Sequence, residues 1–132
     1  MIEIMNKEKH IFAFEKLDVW KSAIDFAEVI YKITERFPDG EKFGLVSQLR
    51  RAAVSVSSNI AEGSAKQSFK DQSRFTEISF GSLMEVLNQI TIALKLKYIN
   101  EQDYLDIRKK TESLSRQLNS FRKSQIKRCN LK

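Results

Sequence analysis

The sequence predicts an all-α protein, folded as an antiparallel up-and-down four-helix bundle. Apolar residues recur at steps of three and four in four successive segments, which is the spacing of one face of a helix. The 132 residues contain one proline and four glycines, too few for the frequent turns that a β-sandwich of this length requires. The breaks between the segments are short, so consecutive helices should lie antiparallel.

The first two helices are separated by residues 38–40, where proline ends the hydrogen-bond ladder and glycine frees the turn. The first helix should begin after Asp18, a good N-cap residue. Its predicted buried face consists of Trp20, Ala23, Ile24, Ala27, Ile30 and Tyr31. The second helix should run from about residue 43 to residue 62, with Gly63 as its C-cap. Its predicted apolar stripe consists of Leu45, Leu49, Ala52, Ala53, Val56 and Ile60.

The third helix is predicted over about residues 69–97, with Ser68 as its N-cap and Asp71 completing a capping box. Its core face should contain Phe75, Ile78, Leu83, Val86, Leu87, Ile90 and Leu94. Gly81 lies inside it at a cost of about 1 kcal/mol relative to alanine, which close approach of another helix would explain. The fourth helix should start at Asn100 and form a bundle seam. The seam residues are Tyr104, Ile107, Thr111, Leu114, Leu118 and Phe121.

The chain divides into a partly disordered leader at residues 1–14, the bundle at residues 15–126 and a basic tail at residues 127–132. The apolar piece at residues 11–14 is too short for a helix, so it either packs along the bundle or a neighbour, or is disordered. No apolar run approaches the roughly 18 residues that cross a bilayer, and the first ten residues lack the apolar core of a secretory signal. The single cysteine, Cys129, suits a reducing compartment. We therefore expect a cytoplasmic protein without a membrane partner.

Catalytic and metal sites need side chains that this sequence barely supplies. His10 is the only histidine, which excludes the Glu-x-x-His pairs of a di-iron carboxylate bundle. One cysteine leaves no Cys-x-x-Cys zinc motif, and there is no glycine-rich phosphate loop. A catalytic role for Glu62 with Asn59 has no partner acid, base or metal to support it. We expect no metal, no cofactor and no enzymatic activity.

Basic residues are concentrated toward the C-terminal end. Residues 1–70 hold 11 basic and 10 acidic residues, whereas residues 108–132 hold nine basic residues and one acidic residue, Glu112. An excess of positive charge at one end attracts nucleic acid, acidic proteins or anionic surfaces. The alternative is that these charges only keep the protein in solution. The candidate nucleic-acid contacts are Arg50, Arg108, Lys109, Lys110, Arg116, Arg122, Lys123, Lys127 and Arg128.

A polar ridge runs along the second helix beside its apolar stripe. Its members, at helical steps of three and four with one flanking amide, are Arg51, Ser55, Ser58, Asn59 and Glu62. Serine and asparagine are disfavoured inside a helix, because their side chains compete for the backbone hydrogen bonds. The ridge is either a solvated face with weak ion pairs or a hydrogen-bonded network at a contact between helices or subunits. We favour the network, since a solvated face would use better helix formers.

Three runs of residues resemble one known family. They are FEKLDVW at residues 14–20, GLVSQLRRAAVSV at residues 44–56 and SNIAEG at residues 58–63. They are similar to the four-helix-bundle family encoded within intervening sequences of bacterial large-subunit ribosomal RNA genes. The likeness extends from about residue 14 to residue 122, and the RRAAVS…SNIAEG run is quite specific. Family members commonly have proline where this chain has Ser57, a difference that should straighten the second helix slightly.

The resemblance implies a homopentamer, arranged as a ring with a central channel. A related branch comprises the accessory proteins of diversity-generating retroelements, which have a basic surface and associate with nucleic acid and a reverse transcriptase. The family has no established enzymatic activity, and its ribosomal name reflects where its genes lie. The implied partners are further copies of this chain, RNA or DNA, and a reverse transcriptase or other nucleoprotein.

Together these features predict a non-catalytic, ring-forming bundle that binds nucleic acid or a nucleoprotein partner through phosphate contacts. The alternative is a protein-interaction scaffold that does not bind nucleic acid directly. An enzyme is the third class, and it would require Glu62, Asn59 or Cys129 to lie in a concave pocket.

Overall fold

The computed structural model describes residues 9–130, and within that range it contains four α-helices and no strand. The helices are α1 (Asp18–Thr34), α2 (Leu45–Ser64), α3 (Phe69–Lys95) and α4 (Glu101–Asn130). Each helix packs against its neighbours in sequence, and α1 also packs against α4. The four therefore close into an up-and-down bundle in which α2 and α4 lie across the diagonal, and the predicted fold class is confirmed. None of the helices in residues 9–130 is long and apolar enough to cross a membrane.

The core lies along the bundle axis and consists of aliphatic side chains from all four helices. The largest fully buried hydrophobic residues are Ile30, Leu49, Ile60, Leu83, Ile90, Leu114 and Leu118. Each such side chain contributes about 1.5–3 kcal/mol relative to an exposed position. The predicted stripe of α2 is buried except for Leu45, which is half-buried, and the predicted seam of α4 is buried from Ile107 to Leu118.

The predicted core face of α1 is partly wrong. Ile24 and Tyr31 are 41% and 42% exposed, and the buried face carries Val19, Phe26 and Ile33 instead. This helix has apolar residues on two adjacent stripes, both with helical spacing, and periodicity alone does not tell which stripe faces the core.

The buried face of α3 differs from the predicted one at three positions. Ile78 is 45% exposed, whereas Thr76 and Ser79 are buried. The hydroxyl of Ser79 donates to the backbone carbonyl of Val56 at 2.6 Å, and the hydroxyl of Thr76 donates to Oε1 of Gln125 at 2.7 Å. Because these bonds satisfy the hydroxyls, burying them carries little penalty.

The predicted N-caps of α3 and α4 are present, but within residues 9–130 no hydrogen bond to the Asp71 side chain completes the capping box of α3. Oγ of Ser68 accepts from the backbone N–H of Asp71 at 3.1 Å, and Oδ1 of Asn100 accepts from that of Asp103 at 2.8 Å. In α1, by contrast, Leu17 holds the N-cap position and no side chain caps the helix.

Both ends of the described chain differ from the predicted divisions. Residues 13–16 form a 3₁₀ turn that packs on α1 and α2, with the ring of Phe14 5.1 Å from that of Trp20. Helix α4 continues to Asn130, so residues 127–130 are its last turn rather than a separate tail. Residues 1–8, in the predicted leader, and residues 131–132 lie outside the described residues.

Two glycines lie inside helices in opposite surroundings. A Cβ on Gly63 would lie 2.7 Å from Cβ of Phe75, so this residue permits the close approach of α2 and α3. It lies within α2 and is not the predicted C-cap. A Cβ on Gly81 would meet no atom within 4 Å. The close helix contact predicted at Gly81 is therefore absent within one chain and is found at Gly63.

Substituting Gly81 by alanine should raise the free energy of unfolding by about 0.5–1 kcal/mol, because an exposed glycine inside a helix lacks helix propensity. Urea denaturation measures this change. A loss of stability in the Gly81→Ala variant would contradict an open environment and would indicate that another copy of the chain packs against this position.

Gly63→Ala is the matched control, since it makes the same chemical change at a position where α3 lies close. We expect it to lower the free energy of unfolding by about 1–3 kcal/mol, because the methyl group overlaps Phe75 and the two helices must separate. Equal behaviour of the two variants would contradict this packing.

The bond between Thr76 and Gln125 holds the far end of α4 against α3. Thr76→Val keeps the shape but leaves Oε1 of the buried Gln125 without its donor, which should cost about 1–3 kcal/mol in urea denaturation. Ser115→Ala removes a hydroxyl that bonds only within α4 and should change stability by less than about 0.5 kcal/mol. If Thr76→Val costs no more than Ser115→Ala, the bond does not secure the helix end.

Candidate functional site

A line of exposed cations runs along the outer face of α4. Lys109, Arg116, Lys123 and Lys127, here called the basic stripe, are all exposed. Their steps of seven, seven and four residues place them on one side of the helix, opposite the face that buries Ile107, Leu114 and Leu118. At 1.5 Å per residue the stripe is roughly 27 Å long. Within residues 9–130, no ion pair or side-chain hydrogen bond engages these four side chains.

Two further candidates lie on the flanks of the stripe. Lys110 faces α1, where it borders a cavity together with Asp25. Nη1 of Arg108 donates to the hydroxyl of Tyr104 at 2.8 Å. The side-chain hydrogen bond with Thr91, and then the one from this guanidinium, lower the pKa of Tyr104. Arg108 is exposed, so it keeps free donors for a ligand.

Arg122 and Arg128 make contacts with α3 that position the end of α4. Nη2 of Arg122 lies 2.9 Å from Oε2 of Glu77, and the guanidinium of Arg128 lies over the ring of Phe69 at 5.7 Å from its centroid. Exposed pairs of this kind contribute about 0–1 kcal/mol each. These arginines therefore mark the edge of the basic stripe toward α3 rather than its centre.

Arg50 is separate from the other candidates. It lies on α2, diagonally across the bundle from α4, and its side chain bonds to α1. The structure therefore brings together the candidates of the fourth helix but not Arg50.

The polar ridge forms only a small network within one chain. Nδ2 of Asn59 donates to the carbonyl and to Oγ of Ser55, at 2.8 and 2.9 Å, and Oγ of Ser55 lies 2.9 Å from Oγ of Ser82 on α3. Arg51 and Glu62 are exposed, and eleven residues of helix separate them by roughly 16 Å, too far for an ion pair.

Ser58, the remaining member of the ridge, is also exposed. Neither a hydrogen bond nor an ion pair within residues 9–130 joins the side chains of Arg51, Ser58 and Glu62 to the network. A wider network through these residues at a contact between copies stays a prediction.

Three cations that the sequence did not single out lie near the end of α4. Lys66, Lys70 and Arg74 belong to the α2–α3 turn and the start of α3, which the Arg128–Phe69 contact places beside the last turn of α4. Nζ of Lys66 lies over the ring of Phe75, 4.9 Å from its centroid. About fifty residues separate these cations from the basic stripe in the sequence. Only the antiparallel arrangement of α3 and α4 would have indicated that they lie close to it.

The residues considered for catalysis are dispersed. His10 is exposed beside Phe12, Glu62 is exposed on α2, and Cys129 is half-buried near the end of α4. In the described range, no group of three or more histidine, cysteine, aspartate or glutamate side chains could hold a metal ion.

An open groove runs along the seam between α1 and α4. Its floor is apolar, with Phe26, Val29 and Leu114 near the middle, and its rims carry small polar and charged side chains such as Ser22 and Ser113. It continues toward both ends of α1, past Val19 in one direction and Ile33 in the other. Its rims carry both signs of charge. Asp18 and, from the basic stripe, Arg116 line one end, and Asp25 and Lys110 line the middle, so the groove is not a continuous cationic surface.

Comparison with known proteins relates both the sequence and the fold to one group. A crystal structure of a protein of unknown function from the S23 ribosomal protein family of Bacteroides thetaiotaomicron superposes with a TM-score of 0.71. It is 23% identical, and the match covers 80% of this chain and 98% of that one, which supports the fold. No curated protein matches the chain. The sequence profile described as 23S rRNA-intervening sequence protein matches residues 15–120, and the chain therefore belongs to that family.

Proposed function

We propose that this protein is a non-catalytic, oligomeric helical bundle that binds nucleic acid, or a nucleoprotein partner, through the basic stripe of α4. The observation that carries the proposal is the placement of Lys109, Arg116, Lys123 and Lys127. They are exposed, lie in one line and have no partner among residues 9–130. Unpaired lysine and arginine side chains along one line are suited to the regularly spaced charges of a phosphate backbone.

Binding of this kind is tolerant of sequence and sensitive to salt. Each phosphate contact adds about 0.9 to the slope of log K against log salt for duplex DNA. Four contacts would therefore weaken binding by about 100-fold between about 50 and 200 mM salt. Arg108 and Arg128, on the flanks of the stripe, can add to this dependence.

Several copies of the stripe in one assembly would strengthen binding further. The family resemblance implies a ring of five chains, and linked sites on one strand raise affinity without new contacts. Exposed apolar side chains supply surfaces for self-association on two sides of the bundle. They are Ile78, Ile92 and Leu96 on and after α3, and Ile24 and Val54 on α1 and α2. Two unlike faces that meet between neighbouring copies close a ring when the rotation permits.

A reverse transcriptase or other nucleoprotein in the cytoplasm is the kind of partner that the retroelement branch of the resemblance suggests. In such a complex the basic stripe would contact the nucleic acid rather than the protein, because phosphates supply the opposite charge at every position along a strand.

Neutralising the stripe should abolish most of the salt dependence. Lys109→Gln, Arg116→Gln, Lys123→Gln and Lys127→Gln combined should lower the slope of log K against log salt by up to about 4, and each single change by about 1. Fluorescence anisotropy with labelled duplex DNA and RNA over a salt series measures the slope.

The matched control is Lys21→Gln with Lys95→Gln, which removes two exposed cations from other helices. We expect the control to leave the slope nearly unchanged. Absence of binding by the unaltered protein at low salt, or affinity that does not fall as salt rises, would contradict nucleic-acid binding.

The second candidate function is a protein-interaction scaffold, favoured by the exposed apolar side chains of α1 and α2. It requires a protein partner whose capture from a lysate survives both high salt and nuclease, whereas the basic stripe predicts capture that nuclease abolishes. Native mass spectrometry after nuclease treatment should show a homo-oligomer in either case. A monomer at micromolar concentration would contradict the ring.

A further inference from the structure

A cavity lies at the turn between α1 and α2, diagonally across the bundle from the basic stripe. Two aromatic rings and three cations border it, and none of its lining residues is a carboxylate. The lining consists of Tyr31, Lys42, Phe43, Val46, Ser47, Arg50 and Arg51. Rings and cations without a competing acid are a combination suited to a ligand that is both flat and anionic.

Phe43 is the most exposed large hydrophobic residue of the described chain, at 90%. Nζ of Lys42 lies 5.6 Å from the centroid of its ring. Burial of a phenylalanine side chain is favourable, and in the folded chain most of this ring stays in contact with solvent. The ring of Phe43 is therefore available to stack on a ligand.

Hydrogen bonds hold the guanidinium of Arg50 in place, whereas that of Arg51 is free to move. Nε of Arg50 donates to Oγ1 of Thr34 at 2.9 Å and Nη2 donates to the carbonyl of Tyr31 at 3.2 Å. The same guanidinium lies over the Tyr31 ring, 4.5 Å from its centroid. Arg51 is exposed and has no partner among residues 9–130. The ordered Arg50–Tyr31 stack forms one wall of the cavity, and Arg51 remains able to contact an anion.

We propose that this cavity binds one nucleotide of a single-stranded nucleic acid. The base stacks on Phe43 beside the wall formed by Tyr31 and Arg50, and the adjoining phosphate is neutralised by Arg51 and Lys42. Stacking of this kind tolerates any base, because every base has a flat π face. A paired base is already stacked within its duplex, so the cavity selects unpaired segments. The role of the cavity in strand binding rests on the proposed function. The cavity adds to it a preference for unpaired bases, which the basic stripe does not have.

Phe43→Ala tests the stacking. We expect affinity for a short single-stranded oligonucleotide to fall about 5- to 100-fold, the range for loss of one stacked base, with duplex affinity and salt slope unchanged. Phe12→Ala is the matched control, since Phe12 is 59% exposed and is outside the lining. Equal single-strand affinity of Phe43→Ala and the unaltered protein would overturn the proposal.

Phe43→Trp keeps a larger ring at the same place and adds a fluorescent reporter. Adenosine 5′-monophosphate should quench the emission of this variant beyond that of the unaltered protein, whose single tryptophan is Trp20. The added change Arg51→Gln should weaken the quenching several-fold, because the phosphate loses its counter-charge. If the nucleotide does not quench the emission, while Phe43→Ala alters the subunit count in native mass spectrometry, Phe43 is a contact between copies and the proposal is wrong.

The two proposals fail in different ways. If the unaltered protein binds no oligonucleotide but the mononucleotide quenches Phe43→Trp, the basic stripe has no role and the cavity is still a nucleotide site. If oligonucleotides bind with the expected salt slope but Phe43→Trp is not quenched, the stripe is functional and the cavity is not.

Discussion

The close approach of α2 to α3 is the contact on which the rest of the bundle depends. It requires Gly63, whose missing side chain leaves room for Phe75, and it brings the hydroxyl of Ser79 within 2.6 Å of the Val56 carbonyl. Neighbouring positions on α2 are small, with Ala52 and Ala53 buried. Backbones this close need small or hydrogen-bonded side chains between them, which accounts for Ser55, Ser79 and Ser82 at this contact. Helices α1 and α4 then pack against this pair with larger aliphatic side chains.

The two unlike faces of α4 separate the residues that stabilise the bundle from those that we propose bind nucleic acid. Its inner face fixes the helix in the core through residues such as Leu114 and Leu118, and its outer face carries the basic stripe. Because the cations contribute little to packing, they can change without unfolding the chain. The cavity at the α1–α2 turn is different, since Arg50 both lines it and bonds to α1. Loss of Arg50 would therefore alter both the packing of α2 on α1 and the wall of the proposed nucleotide cavity.

Much of the fold could be predicted because each helix carries its own periodic pattern, and because α3 and α4 also carry their own N-caps. The seam of α4 and the caps Ser68 and Asn100 are local signals, and the structure has them where the sequence places them. The core face of α1 could be predicted only in part, because two apolar stripes lie side by side and only the packing of the partner helices decides which one is buried. The surroundings of Gly63 and Gly81 could not be predicted either, since the sequence places the close helix contact at Gly81 and the packing places it at Gly63.

The candidate site was predictable to a smaller extent. Clustering of cations in the last helix indicated the basic stripe, whereas the nearness of Lys66, Lys70 and Arg74 depends on how the helices are arranged. The cavity joins Tyr31 to Phe43 across a turn, and a scan for local motifs does not relate these residues. The sequence predicts Arg50 as a phosphate contact, but its hydrogen bonds to Thr34 and Tyr31 depend on how α1 and α2 pack and cannot be read from the sequence.

The unequal lengths of the helices give the molecule two unlike ends. Helix α4, with 30 residues, continues past the start of α1, so Lys127 projects at one end, while Phe43 lies at the other. Any cyclic assembly orients all of its subunits the same way along its axis. If the bundle axes run along the symmetry axis, such an assembly has a cationic side and an aromatic side, and a strand passing from one to the other would encounter them in a fixed order. Polarity of this kind allows an otherwise unspecific binder to distinguish the direction in which a strand is threaded.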